Sequence, residues 1–392
     1  MLLASGALAH KHHSSFHRLF AQARWSLDEL GLALFDLLRP WMGKLVTLSF
    51  DDTLAHKRGK KVFGAGMHHD SARSSRRFKV ISYGHNWVFL CVVLRFPFAP
   101  HRVFSLPLLF RLYLNKKSAK RWDRVYRSRS ELAVQLLDTL CSRFPKQAFH
   151  AVADSAYGGE PVLAHLPSNC DLTSSCAMTT RLYGPVPPRR KGQIGRPRLR
   201  GDLLGKPAQL ISRRARVLSH RLYGRKDRCR AVSLVAYFHK VPSRAVKVVV
   251  VEPLVGGRMK RAFFSTRVSD SAEEVLRRYA RRWSVEEAIQ AAKSHLGFEE
   301  PQGWTRQAVK RTAPMAMMLY SLIVAWFAKV GHLSYRLVKR PWYQGKRYPS
   351  FEDMLAMLKR ESLREQISAW ALPHHLRGNL LEALCVAASA PS

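Results

Sequence analysis

Acidic side chains are scarce in this chain: 27 Asp and Glu stand against 66 Lys and Arg, a formal charge of +39 over 392 residues. That imbalance leaves a polyanion as the natural partner. Nucleic acid comes first, because neutralising phosphates with Lys and Arg supplies most sequence-independent affinity. An anionic membrane calls for one basic amphipathic segment, whereas these cations are spread along the whole length. Cysteine is sparse too. Cys91, Cys141, Cys170, Cys176, Cys229 and Cys385 form no Cys-x-x-Cys pair, which excludes a disulfide framework and a zinc ribbon and fits a reducing cytoplasm. Long apolar runs are missing, with one exception: Thr312 to Ala328 is charge-free for about 17 residues, the low edge for a membrane span. It reads as a buried core helix with Pro314 in its first turn. No charged n-region marks a signal peptide, and the chain is expected to be soluble.

Hydrophobic residues make up 47%, with 9 Trp and 19 Phe, so the chain is no disordered basic tail. Its length allows two or three domains of ~100–200 residues. Residues 16–40 have helical spacing broken near Trp25, where Ser26 suits an N-cap ahead of Asp28 and Glu29. The first clear strand, 44–50, runs into Asp51-Asp52-Thr53. Residues 78–96 suit one or two strands buried on both faces, and 116–130 is a basic surface segment. Glu131 to Phe144 reads as an amphipathic helix leading to a strand, 149–153, that ends at Asp154. Strand, helix, strand with acids at strand ends is α/β grammar. Residues 184–210, rich in Pro, Gly and Arg, read as an exposed loop, and Gly195-Arg196-Pro197-Arg198 there weakly resembles a minor-groove hook. Short β runs follow at 231–239, 246–251 and 261–265, with Gly256-Gly257 as a turn. Helices resume near Ser271 and dominate to the end.

Tyr279, Arg282, Glu286 and Lys293 follow the spacing Tyr-x2-Arg-x3-Glu-x6-Lys. On one continuous helix they project within an arc of about 60°, with Val285, Ile289, Ala292 and Leu296 as the anchoring stripe. Taken alone, an Arg–Glu pair at i, i+4 is an ordinary surface ion pair. Two strand-end acids elsewhere change that weighting. Three carboxylates on separate elements suit two divalent cations ~3.5–4 Å apart, acting on a phosphodiester, and Mg²⁺ suits oxygen-only ligands. Either Asp51 or Asp52 can be the first acid. Alternation puts Val46, Leu48, Phe50 and Asp52 on one face, and Thr47, Ser49, Asp51 and Thr53 on the face that grows polar. Asp51 is therefore the expected ligand, with Asp52 and Thr53 behind it orienting the loop.

SFDDTL, AVADSAYGG and YARRWSVEEAIQAAKSHLG resemble the three acidic motifs of DDE transposases of bacterial insertion sequences, within the group carrying the Tyr-Arg-Glu-Lys signature. GHNWV (84–88), FFSTRVS (263–269) and RPWYQGKRYPSFEDML (340–355) have the same character, and the resemblance covers roughly residues 40–360. It implies an α/β, ribonuclease H-like catalytic domain with a mixed sheet flanked by helices and a β-rich insertion between the second and third acids. It also implies double-stranded DNA as substrate (element ends and target), a homodimer on DNA, no membrane partner, a bacterial nucleoid setting, and a two-metal Mg²⁺ or Mn²⁺ site. Asp51, Asp154 and Glu286 would be the catalytic metal ligands, Arg282 and Lys293 would meet phosphates, and Tyr279 would lie near the scissile strand. The expected divisions are a helical segment at 1–40, catalytic parts at 41–180 and 269–330, the basic loop and insertion at 181–268, and a helical region at 331–392. The stretch before the first acid is short for such enzymes' helical end-binding region, so the expectation is either a truncated chain or one that uses its C-terminal helices instead.

Other residues weigh less. His10, His12, His13 and His17 read as a solvated run rather than a metal cluster, and His68-His69-Asp70 as structural or phosphate-contacting. Cys170 and Cys176 read as partly buried thiols and Trp283 as core, with base stacking as its alternative. The expected function is metal-dependent cleavage at mobile-element ends followed by strand transfer. The alternatives are a hydrolytic nuclease on the same fold and a non-catalytic DNA-binding protein.

Overall fold

Two helices, α1 (His13–Ala21) and α2 (Leu27–Leu38), lead into the structure, a computed structural model. It describes residues 12–368 apart from 76, 190, 193, 212–214, 223–224, 255–258 and 338–343. The expected break near Trp25 is there. Ser26 caps α2, its hydroxyl accepting from the Glu29 N–H, and Asp28 and Glu29 fill the first turn, where carboxylates suit the helix dipole.

Four strands follow: β1 (Leu45–His56), β2 (Gly66–His69), β3 (Ile81–Leu94) and β4 (Phe104–Tyr113). β1 is longer than the expected 44–50 run. Its antiparallel ladder with β3 continues from Thr47↔Val93 to His56↔Gly84, so Asp51 and Asp52 lie inside the strand. The reason is that β3 goes on supplying partners past the point where apolar alternation fades. At Gly84 the strands approach so closely that a Cβ would collide with the Ala55 carbonyl oxygen.

Helix α3 (Lys116–Arg121) lies within the basic 116–130 segment, and α4 (Arg129–Arg143) opens with a Ser128/Glu131 capping box. Leu132, Leu136, Leu137 and Leu140 of α4 are buried. The helix returns the chain to β5 (Ala148–Ala153), parallel to β1, and after α5 (Glu160–Leu163) to β6 (Cys170–Cys176), parallel to β5. Residues 184–210 are mostly irregular. Around them lie β7 (Leu182–Tyr183), β8 (Leu203–Gly205) and α6 (Pro207–Leu210). The three β runs expected beyond are β10 (Arg225–Phe238), β11 (Val241–Pro253) and β12 (Arg261–Ser265), and an unexpected strand, β9 (Arg216–Leu222), precedes them. They extend the same sheet, β12 pairing with β6, rather than forming a separate one. The Gly256-Gly257 turn lies outside the described residues.

The expected single helix from Ser271 is two helices, α7 (Ala272–Ala280) and α8 (Ser284–His295), joined by a 3₁₀ turn at Arg281–Trp283. α9 (Arg306–Trp326) starts earlier than expected, capped by Thr305, so Pro314 lies inside the helix and not in its first turn. The helical run it opens, Arg306–Ser334, is long and apolar enough to cross a membrane, but its most apolar stretch is 67% buried, as in a core helix. α9 packs on β4, α8 and α11 (Phe351–Ser368), and a π-helical stretch at Phe327–Gly331 leads from it to α10 (His332–Ser334).

Candidate active site

β1 presents Asp51 and Asp52 to opposite faces of the sheet. β5 accompanies β1 in parallel register as far as Phe50↔Ala153 and then stops. The next residues on the two strands are Asp51 and Asp154, so the end of β5 leaves a notch beside Asp51 with Asp154 at its lip. Asp154 turns the chain: it caps a 3₁₀ turn over Ser155–Tyr157, accepting from the Ser155 N–H. Ser174 on β6 donates its hydroxyl to the Asp154 carbonyl at 2.9 Å.

The third carboxylate comes from α8, which packs over β1 and β4. A hydroxyl chain runs beneath it, Ser49 to Ser105 at 3.2 Å and Ser105 to Ser284 at 2.6 Å. Glu286 lies in the first turn of α8, and Arg282 in the 3₁₀ turn before it. The Arg282 guanidinium donates Nη1 to Asp51 Oδ2 at 3.3 Å and Nη2 to Glu286 Oε1 at 3.0 Å. Burial opposes its charge, but Asp51, Tyr279, Glu286 and Asp154 outweigh that and raise its pKa. Two carboxylates thus pair with one cation, and a third, Asp154, adds its charge from farther away.

Asp51 is the strained member electrostatically. Burial pushes its pKa up to about 7; a hydrogen bond from the Asp52 N–H lowers it, the Asp52 charge raises it, Arg282 lowers it, and Asp154 raises it. Asp52 faces away. It accepts from the Tyr157 hydroxyl at 2.8 Å and from Asn86 Nδ2 at 2.9 Å, with Arg129 at 3.5 Å. Thr53 is buried on the Asp51 side, opposite Trp87.

The four-residue signature is not one stripe. A 3₁₀ turn winds about 120° per residue rather than about 100°, so Tyr279 does not share the stripe of Glu286 and Lys293. Tyr279 packs on Phe263 with centroids 4.6 Å apart, and its hydroxyl lies 3.3 Å from Ser175 Oγ. Lys293 is engaged one step along β1: Nζ donates to the Leu54 carbonyl at 2.7 Å and pairs with Glu299 at 2.8 Å. Arg282 meets Glu286 as the spacing predicts and also lies over the Tyr279 ring, 5.9 Å from its centroid, while Lys293 stands apart from all three.

Tyr157, Asn86, Glu299 and His56 were not singled out from the sequence; Asp70 was, as part of His68-His69-Asp70. Tyr157 and Asn86 lie inside the AVADSAYGG and GHNWV motifs, which was the available signal. His56 bonds Asp70 at 2.8 Å and Glu299 at 3.4 Å, tying the far end of β1 to Lys293. His68 is buried, with a pKa lowered to about 4 by burial and then by Arg129, and so is neutral. His12 caps α1, and His13 and His17 lie within it; His10 is outside the described residues. Cys170 is buried and Cys176 half-buried; Cys385 is outside the described residues. Trp283, expected in the core, is 49% exposed.

Among the described residues no three His, Cys, Asp or Glu side chains form a ready-made metal cluster; the Arg282 guanidinium stands between Asp51 and Glu286 instead. The donor chemistry nonetheless fits a hard divalent cation, since the set is oxygen-only and the half-buried Asp51 keeps a raised pKa even with Arg282 beside it.

Residues 1–239 match the family model of the DDE superfamily endonuclease, a span that includes Asp51, Asp52 and Asp154 and ends before Glu286. No curated protein matches the chain.

Proposed function

Because this chain belongs to the DDE superfamily of endonucleases, we propose that it is a transposase that cuts DNA at the ends of a mobile element and joins them to target DNA. The observation that carries this reading is that Arg282 bridges Asp51 and Glu286 while Asp154, at the end of β5 beside Asp51, adds its charge to the same site. The strand order β4-β3-β1-β5-β6, antiparallel for the first three and parallel for the rest, supports a ribonuclease H-like core. β9 to β12 then stand as the insertion between the second and third acids.

Asp51, Asp154 and Glu286 are the proposed ligands of Mg²⁺ or Mn²⁺. Bound there, the cation would supply Lewis acidity to activate water and stabilise the leaving oxygen. Arg282 then exchanges a carboxylate partner for a phosphate oxygen, its planar fork suiting either. Tyr279 lies beside Arg282 and presents its phenol toward the strand being cut. Lys293 holds α8 to β1 through the Leu54 carbonyl. In the first step a water oxygen bonds to phosphorus, the bond to the 3′-oxygen breaks, and that oxygen leaves as a hydroxyl. In the second the hydroxyl attacks a target phosphodiester and displaces its 3′-oxygen in turn. Double-stranded DNA, a homodimer on it, and the bacterial cytoplasm with its nucleoid complete the proposal.

The test is a strand-transfer assay with the element's own terminal repeats in Mg²⁺. Joined products support the transposase. Cleavage without joining would make it a nuclease, and binding without cleavage would remove the enzymatic reading.

A further inference from the structure

A cleft of about 900 Å³ lies at the outer edge of β4, walled by the starts of α4 and α9 and the chain between α3 and α4. It shares no lining residue with the carboxylate site. Six cationic side chains line it against two carboxylates, Asp28 and Asp123. Two of the six are committed to the fold. Arg111 forks onto Asp28 at 2.7 and 2.9 Å, using up that carboxylate. Arg311 donates to the carbonyls of Phe20, Ala23 and Trp25 and stacks on the Trp25 ring.

Four cations remain, Arg124, Arg127, Arg306 and Lys310, against one carboxylate, Asp123. Arg124, Arg306 and Lys310 are exposed, and no ion pair joins any of them to a carboxylate among the described residues. Partial burial, then the charges of Arg306, Arg111 and Arg124, lower the Lys310 pKa, a sign of positive potential in the cleft. Trp87, 1% exposed, also lines it, and its indole N–H has no acceptor. Such a group costs free energy until it meets one. Arg306 and Lys310 are one turn apart and share a face of α9. Arg306 also stands at the helix N-terminus, where free backbone N–H groups favour anions.

We propose that this cleft is a second nucleic-acid contact, in which Arg124, Arg306 and Lys310 take phosphates of a duplex segment outside the one being cut. The inference rests on the reading of DNA as substrate and adds where the duplex beyond the carboxylates is held. Two separated contacts on one duplex fix its direction across the sheet, which a single cutting site does not.

The experiment measures binding of a fluorescent duplex to the full chain across a salt series. The Arg306→Ala/Lys310→Ala double variant is compared with the charge-keeping Arg306→Lys/Lys310→Arg. Each lost phosphate contact should flatten the log–log slope by about 0.9, so the alanine variant should lose about two units of slope and about tenfold in affinity at low salt. The charge-keeping variant should retain both. Removing crowded like charges should leave thermal unfolding unchanged or raise it, so a folding defect is separable from a binding defect. Wild-type slope in the alanine variant overturns the cleft proposal and leaves DNA as the substrate. Loss of binding to anionic vesicles with duplex binding intact overturns it in favour of a membrane. A wild-type chain that binds no duplex overturns the substrate reading itself, and the cleft proposal with it.

Discussion

The phenol of Tyr157 donates to Asp52 Oδ1 at 2.8 Å, on the face of β1 opposite Asp51. Tyr157 ends the 3₁₀ turn that Asp154 begins, so this buried bond ties the strand bearing the first acid to the turn bearing the second. Tyr157→Phe should cost about 1.5–3 kcal/mol, as for hydrogen bonds to charged groups, and slow cleavage about tenfold by letting Asp154 drift. Denaturant unfolding and single-turnover cleavage check the two effects. Wild-type cleavage in the folded variant would contradict the tie.

Two adjacent glycines make a controlled pair. A Cβ on Gly158 would sit 2.6 Å from Ser174 Oγ, the hydroxyl that holds the Asp154 carbonyl, whereas a Cβ on Gly159 meets only Pro161 Cδ at 3.6 Å. Gly158→Ala should therefore destabilise by about 1–3 kcal/mol and lower cleavage, and Gly159→Ala should do neither. Equal effects at the two positions would show that the turn does not depend on this approach.

Stability should fall on both sides of an intermediate pH. Asp51 has its pKa raised from 3.8 to about 7, so its contribution is full below pH 3.8 and is lost as pH rises through about 7. His150 and His85 are opposite in sign: burial lowers them from 6.5 to about 3 and about 4, so their contribution is present above 6.5 and lost on acidification. Without divalent cation, Asp51→Asn should be more stable than wild type at alkaline pH by about 2 kcal/mol. Mg²⁺ should raise the wild-type unfolding temperature more than the variant's. No difference between the two proteins at alkaline pH would contradict the raised pKa of the half-buried Asp51.

Arg282 and Lys293 should separate in salt-dependence measurements. Arg282→Ala should flatten the DNA-binding slope by about one unit and slow cleavage, because Arg282 is free to trade a carboxylate for a phosphate. Lys293→Ala should leave the slope unchanged, since its ammonium is already held by Leu54 and Glu299. It should act instead by loosening α8. A flattened slope in Lys293→Ala would restore it as a phosphate contact.

Local features of the fold were legible because their causes are local. Ser26 announces a cap, the Leu132 to Leu140 spacing announces α4, and the run before Asp154 announces β5. Features set by neighbours were not. β1 continues past Phe50 only because β3 pairs with it, and Trp283 is exposed because a 3₁₀ turn replaces a helical one. Within the candidate site, the i, i+4 spacing of Arg282 and Glu286 was readable. The partners of Asp52, on Tyr157, Asn86 and Arg129, come from three distant segments that only the sheet brings together.

The most direct test sets the two adjacent acids against each other. Asp51→Asn and Asp52→Asn are made separately, each is bound to a pre-formed DNA end, and the cleavage rate in Mg²⁺ is measured. With Asp51 facing Arg282 and Asp52 facing Tyr157, the expected result is that Asp51→Asn binds DNA but does not cut, while Asp52→Asn cuts about tenfold more slowly, through the misplaced turn. Retained cleavage in Asp51→Asn together with abolished cleavage in Asp52→Asn would contradict the assignment of Asp51 to the catalytic face.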